Sequence, residues 1–293
     1  MRTVSIIGVG RIGGALTLAL RENYKIENLI VREPSNVSAI LEELNDKPNV
    51  FTITEAEKIT SEIILICTRD AQILSVAEKL AETINHKPFV FHTSGSLSSE
   101  SLSELKNVGC STGSIHPLIS ISDAFLGFRK FENAYFCVEG DDSAVNLAEE
   151  VVKNLKGKSF SIETKKKILY HAAAVTACGH IVALIDASLE MLSKCGLENE
   201  NARRILTPLI KSTIENLQTQ TPEQALTGTF ARADFSTFEK HLDQLEKNVS
   251  ASALEIYLLL GERSLQLAEK QGADRGNLDK IRKKISLAKT NLK

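Results

Sequence analysis

The 293-residue chain has no tryptophan, few aromatic residues of any kind and no excess of basic charge. Lys and Arg total 35 against 37 Asp and Glu, a formal net charge of -2. Without a basic surplus or a polybasic tail, neither nucleic acid nor an anionic membrane surface is an expected partner. The five cysteines (Cys67, Cys110, Cys137, Cys178 and Cys195) are odd in number and scattered, with no C-x-x-C pair. That excludes a disulfide framework and suits free thiols in a reducing cytoplasm. H-E-x-x-H is also missing, so no metal is expected, although His92, His116 and His171 are candidates for one if the fold brings them together. No run approaches the roughly 20 continuous apolar residues that cross a bilayer. The chain opens directly on an apolar strand pattern, which leaves no room for a signal peptide, and a cytoplasmic protein is expected. Internal repeats and low-complexity segments are absent.

What is present starts at once. Thr3-Val-Ser-Ile-Ile runs into Gly8-x-Gly10-x-x-Gly13 and then into the helical pattern Ala15–Leu20. A strand, a glycine-rich turn and a helix in this order form a dinucleotide-binding fingerprint. The first glycine permits the tight turn, the second lets backbone approach a pyrophosphate, and the third lets the helix pack on the strand. The free N–H groups of the helix then face the anion. Gly8, Val9, Gly10, Arg11, Ile12 and Gly13 are therefore expected to line a cofactor. A glycine turn in an α/β fold without a ligand is the plainer alternative.

The first half alternates short apolar runs (Val4–Ile7, Leu29–Val31, Ile63–Cys67, Phe89–Phe91) with helical periodicity at 11–22, 35–45 and 71–84. Further strands are expected at Gly113–Ile115, Ala134–Val138 and Ser159–Ile162, with a helix near 143–155. Nearly continuous apolar strands indicate a sheet covered on both faces. After Glu163 only helical patterns remain, at about 165–195, 199–219, 234–246, 249–270 and 277–290; Ser236-x-x-Glu239 reads as a capping box near the start of one of them. The expected architecture is α/β, a doubly wound Rossmann-type sheet in residues 1–163, followed by an all-helical domain in residues 164–293.

In such a fold the residue after the second strand reads the adenine ribose. Asp or Glu there favours NAD, whereas Arg pairs with the 2′-phosphate of NADP. Here Arg32 follows Val31, so NADP is favoured over NAD, with Glu33 as the reader if Arg32 is merely solvated. Cys67, Thr68 and Ser94 fall at strand ends where the cofactor is expected; Asp70 reads as a helix cap. His92 and His116 also sit at carboxyl ends of strands. Lys167 and His171 lie four apart on one helix face, with Tyr170 adjacent. Lys167, His171 and His116 are the candidate catalytic acid–base groups, and His92 and His116 candidate substrate contacts. Arg232 is suited to hold a substrate carboxylate or to pair with Asp234, which is itself a candidate contact or an N-cap. The small-residue run Ala172–Gly179 suits tight packing, a subunit interface or a close cofactor approach.

These motifs have a precedent. Gly8-x-Gly10-x-x-Gly13, His92-Thr-Ser-Gly95, Ser114-Ile-His-Pro-Leu118, Lys167-x-x-Tyr-His-Ala-Ala-Ala174 and Leu226-Thr-Gly with Arg232-x-Asp234 and His241-Leu242 resemble the Rossmann-like proteins whose C-terminal half is domain of unknown function 2520. That family is related to pyrroline-carboxylate, ketopantoate and deazaflavin-dependent NADP reductases. The resemblance implies an NADP-dependent oxidoreductase acting on a small-molecule substrate, a homodimer formed through the helical domain, and a catalytic role for Lys167. The sequence departs from the family pattern at Ala177-Cys178-Gly179, Thr227-Gly228-Thr229 and Arg232-Ala233-Asp234, where Ala-Ser-Asn, Thr-Gly-Pro and Arg-Gly-Asp are expected. The lost Asn amide motivates the alternative of a non-catalytic NADP(H)-binding sensor or scaffold.

Overall fold

The computed structural model describes residues 1–292. One eight-stranded sheet forms from β1 (Thr3–Ile7), β2 (Lys25–Ile30), β3 (Asn49–Phe51), β4 (Ile63–Ile66), β5 (Phe89–His92), β6 (Ser111–Pro117), β7 (Tyr135–Gly140) and β8 (Lys158–Phe160). The strand order is 3-2-1-4-5-6-7-8. The first six strands run parallel, β7 returns antiparallel to β6, and β8 lies parallel to β7. This is the doubly wound arrangement expected. Adjacent residues on one strand serve opposite faces. Val4 and Ile6 pack in a cluster with Leu16, Leu29, Phe91 and Leu147, while Ile7 packs in another with Ile30, Ile66, Ile73 and Leu80. With both faces buried, the central strands β4 (Ile-Ile-Leu-Ile) and β5 (Phe89–Phe91) read as apolar runs without alternation.

α1 (Arg11–Leu20), α5 (Ala124–Gly127) and α6 (Asp142–Asn154) contribute to the first cluster, and α3 (Asp70–Thr83) and α4 (Ser103–Asn107) to the second. The expected helix over 35–45 is shorter: a 3₁₀ turn at Pro34–Val37 leads into α2 (Ser38–Glu42). The edge strand β3 has no counterpart among the expected strands, because three residues are too few to show periodicity.

α7 (Lys167–Ser193) is the longest helix. Two compact units divide inside it, Met1–Cys178 and Gly179 onward, and not at the expected 163/164 boundary. The cause lies in its first turns, whose side chains bond to β6 and β7. The segment Thr164–Ser193 also corrects the expectation that nothing here could cross a bilayer: by length and composition it qualifies, with mean hydropathy 1.8. Its Ala, Gly, Cys and Thr residues make it apolar on average without a run of large hydrophobics.

The second unit continues with α8 (Asn199–Thr219), α9 (Pro222–Ala225), α10 (Gly228–Ala231), α11 (Phe235–Asn248), α12 (Ala251–Lys270) and α13 (Arg275–Asn291). Phe238, Leu254, Leu258, Leu265, Ile281 and Ile285 form its core. The cap of α11 is Asp234, which accepts from Thr237 N at 3.0 Å; Ser236 already lies inside the helix, so the expected box there does not form.

Candidate active site

The glycine loop is built as its spacing requires. Gly8 has φ +90°, a conformation that a side chain strains, and it donates from its backbone N to Ile30 O at 2.9 Å. A Cβ on Gly13 would stand 2.1 Å from Gly8 O, so only glycine lets α1 approach the strand this closely. Gly10 differs: a Cβ there would meet nothing within 4 Å. Its lack of a side chain therefore answers no packing need and leaves open space at the start of α1. That helix has no side-chain cap and no acidic residue in its first turn, so its leading N–H groups and dipole are available to an anion.

A cavity of about 690 Å³ opens beside this loop. Gly8, Val9 and Gly10 border it, as do Cys67 and Thr68. Arg32 lines it, and so does Arg69 from the loop after β4. Open space at Gly10, an uncapped helix start and two guanidinium groups on one cavity suit the diphosphate of a dinucleotide. Arg11 is exposed and Ile12 half-buried. The Cys67 thiol is pushed up to about 12 by burial, against a hydrogen bond with Thr93, and so remains protonated packing.

At the carboxyl ends of β5 and β6 the histidines take different parts. His92 is fully buried. Its Nδ1 accepts from Ser94 N at 3.2 Å and its Nε2 bonds Ser98 O at 3.0 Å, so both ring nitrogens are used by the loop. Burial first, then the charge of Lys167, pushes it down to about 4. The expectation that His92 touches substrate is therefore corrected: it shapes the loop. Ser94 is likewise turned inward, where its Oγ accepts from Ser96 N and Leu97 N at 3.2 and 3.0 Å.

His116 and His171 meet at Gly95. A Cβ on Gly95 would lie 2.7 Å from His116 Nε2 and from His171 Cδ2. The two rings stand edge to face with centroids 6.1 Å apart. Tyr170 Oη lies 2.7 Å from His116 Nδ1. Burial, followed by the charge of Lys167, pushes His116 down to about 4, so the ring is neutral at physiological pH.

Lys167 sits behind this group. Its Nζ donates to Glu139 Oε1 at 2.8 Å and also bonds Ser114 Oγ, and its side chain is 1% exposed. Glu139 further accepts from Ser114 Oγ, Ser99 N and Ser99 Oγ at 2.8, 2.9 and 2.7 Å. Burial works to raise the Glu139 carboxyl, but Lys167 and the serine donors bring it below the usual range and keep the pair ionised. Of the two candidate proton donors on α7, Lys167 is thus enclosed, while His171 makes no hydrogen bond among the described residues.

Glu139 and Tyr170 are the residues that sequence reasoning left without a role. An acid inside the apolar strand Phe136-Cys-Val-Glu was the available signal, because a buried carboxylate demands a partner. Arg232 and Asp234 belong to the second unit, where they line a depression of about 490 Å³ with Phe235 and Asn277. Asp234 is committed to capping α11 and forms no ion pair with Arg232 among the described residues. No group of His, Cys, Asp and Glu suited to a metal occurs among the described residues.

Residues 1–117 match a Rossmann-like domain model, and residues 134–264 match the model described as domain of unknown function (DUF2520). The family resemblance carried by the motifs is borne out. No curated protein matches the sequence. Among solved structures the fold is similar to a provisional NADP oxidoreductase, BF3122 from Bacteroides fragilis, at 18% identity and TM-score 0.73, over 90% of this chain and 98% of that one. It is also similar to protein TM1727 from Thermotoga maritima, at 24% identity and TM-score 0.71, over 92% and 99%. The imine reductase of a Pseudomonas species shares the fold at 17% identity and TM-score 0.61, over 96% and 99%.

Proposed function

We propose that this chain is an NADP-dependent oxidoreductase acting on a small polar substrate with a C=O or C=N group. The observation that carries the reading is the open, uncapped start of α1 on a cavity shared with Arg32 and Arg69. The oxidoreductase and imine reductase likenesses support it. A bound nicotinamide dinucleotide would supply the hydride. The backbone at Gly10, Arg11 and Ile12 would hold its diphosphate, and Arg32 a 2′-phosphate. Glu33 does not border the cavity, which supports NADP over NAD.

The remaining chemistry belongs to the chain. His171, whose ring nitrogens make no hydrogen bond among the described residues and whose Cδ2 lies at Gly95, is the proton donor. His116 contacts the substrate, and Lys167 with Glu139 braces β6, β7 and α7. The same reading makes the protein a homodimer through the helical unit: Val182, Ile205 and Leu209 are 67%, 54% and 63% exposed on α7 and α8, apolar side chains that a second copy would cover. Light scattering of the purified protein is expected to give twice the chain mass.

A panel of ketones, keto acids, aldehydes and imines tests the activity by NADPH consumption. At least one compound is expected to be reduced, with His171→Ala lowering kcat by about 10²-fold. Binding of NADPH without turnover across the panel would assign the chain to the sensor class.

A further inference from the structure

The pairing of Tyr170 with His116 has a consequence for which substrate atom the site accepts. An imidazole whose Nδ1 accepts a hydrogen bond carries its proton, when neutral, on Nε2. Tyr170 Oη has one partner among the described residues, His116 Nδ1 at 2.7 Å. If Nδ1 were the donor, the phenolic proton would be left without a protein acceptor. Burial raises the Tyr170 hydroxyl well above its ordinary value, so it keeps that proton and donates it. The ring of Tyr170 is held in place by Phe160, centroids 5.9 Å apart, as well as by its place on α7.

The other edge of His116 remains open. Nε2 makes no hydrogen bond, yet it is not among the sealed, unpartnered polar atoms, which among the described residues are Thr68 Oγ1 and His86 Nδ1. It flanks Gly95, the position where a side chain would collide with both imidazoles. A neutral ring with Nε2 protonated is a hydrogen-bond donor and cannot accept at that atom.

We propose that Tyr170 is a positioning residue that locks His116 as the Nε2–H tautomer, so that the site at Gly95 takes a hydrogen-bond-accepting heteroatom, a carbonyl oxygen or unprotonated imine nitrogen, and rejects a protonated iminium or ammonium group. This rests on the proposed reductase reading for its purpose, but the tautomer and the ligand preference are measurable without turnover. The lock polarises the acceptor and leaves proton delivery to His171.

Nitrogen-15 NMR of the full-length protein at neutral pH tests it, with His116 assigned by comparison with His116→Gln. The Nε2–H form of His116 is expected to dominate in the wild type. Tyr170→Phe, which keeps the ring and its contact with Phe160, is expected to reduce the preference by about tenfold, the effect of one hydrogen bond. A dominant Nδ1–H form in the wild type, or a preference untouched by Tyr170→Phe, overturns the lock. Adding excess cyclohexanone is expected to shift the His116 Nε2 resonance, whereas cyclohexylammonium is not. Equal shifts, a larger shift with the amine, or no shift with either overturns the ligand class. Failure of these tests leaves NADPH binding and turnover to be judged separately, and absence of turnover leaves the tautomer result standing.

Discussion

Lys167 Nζ and Glu139 Oε1 stand 2.8 Å apart, with side chains 1% and 6% exposed. A buried charge tolerates its environment only while its partner is present. Glu139→Gln is therefore expected to cost about 3 kcal/mol in urea unfolding, because Lys167 is left unpaired. The double variant Lys167→Met, Glu139→Gln is expected to lose less than that single substitution. Additive losses in the double variant would show that the two groups do not act as a pair.

The buried imidazole of His92 makes stability depend on pH. Its folded value is near 4 and its ordinary value 6.5, so the unfolded chain binds the proton more tightly. The contribution is complete above pH 6.5 and is lost as pH falls toward 4. Between pH 7.5 and 5 this one group is expected to remove about 2 kcal/mol, with His116 acting in the same direction. His92→Gln is expected to flatten the dependence; an unchanged slope would place the proton uptake elsewhere.

The glycine loop separates folding from binding. Gly13→Ala places a Cβ 2.1 Å from Gly8 O and is expected to destabilise the fold by several kcal/mol. Gly10→Ala meets no protein atom within 4 Å, so its melting is expected to change by under about 1 kcal/mol. The same methyl enters the space assigned to a diphosphate and is expected to weaken NADPH binding by at least about tenfold. Thermal unfolding and NADPH titration of both variants measure the two effects.

Much of the sheet was legible because β4 and β5 are continuous apolar runs and β1, interrupted only by Ser5, leads straight into Gly8. The strand β3 was not, since Asn49-Val-Phe51 is too short to display a period. The cofactor loop was legible because three glycines at fixed spacing encode local geometry. The Lys167–Glu139 pair was hidden, because the antiparallel register of β7 on β6 sets Glu139 opposite Ser114, and the direction of β7 depends on tertiary packing. The same limit applies to His92: its sequence position at a strand end is shared with His116, and only the fold of the following loop shows that its nitrogens are occupied.

The direct test of the central claim is calorimetric titration of NADPH and NADH against the wild type and Arg32→Ala. NADPH is expected to bind more tightly than NADH to the wild type. Loss of a charge-assisted contact to the 2′-phosphate is expected to weaken NADPH by about 10- to 100-fold in Arg32→Ala, with NADH affected little. Equal affinities for the two dinucleotides, unchanged by Arg32→Ala, would contradict the assignment of Arg32 and NADP; binding of neither would contradict the dinucleotide site itself.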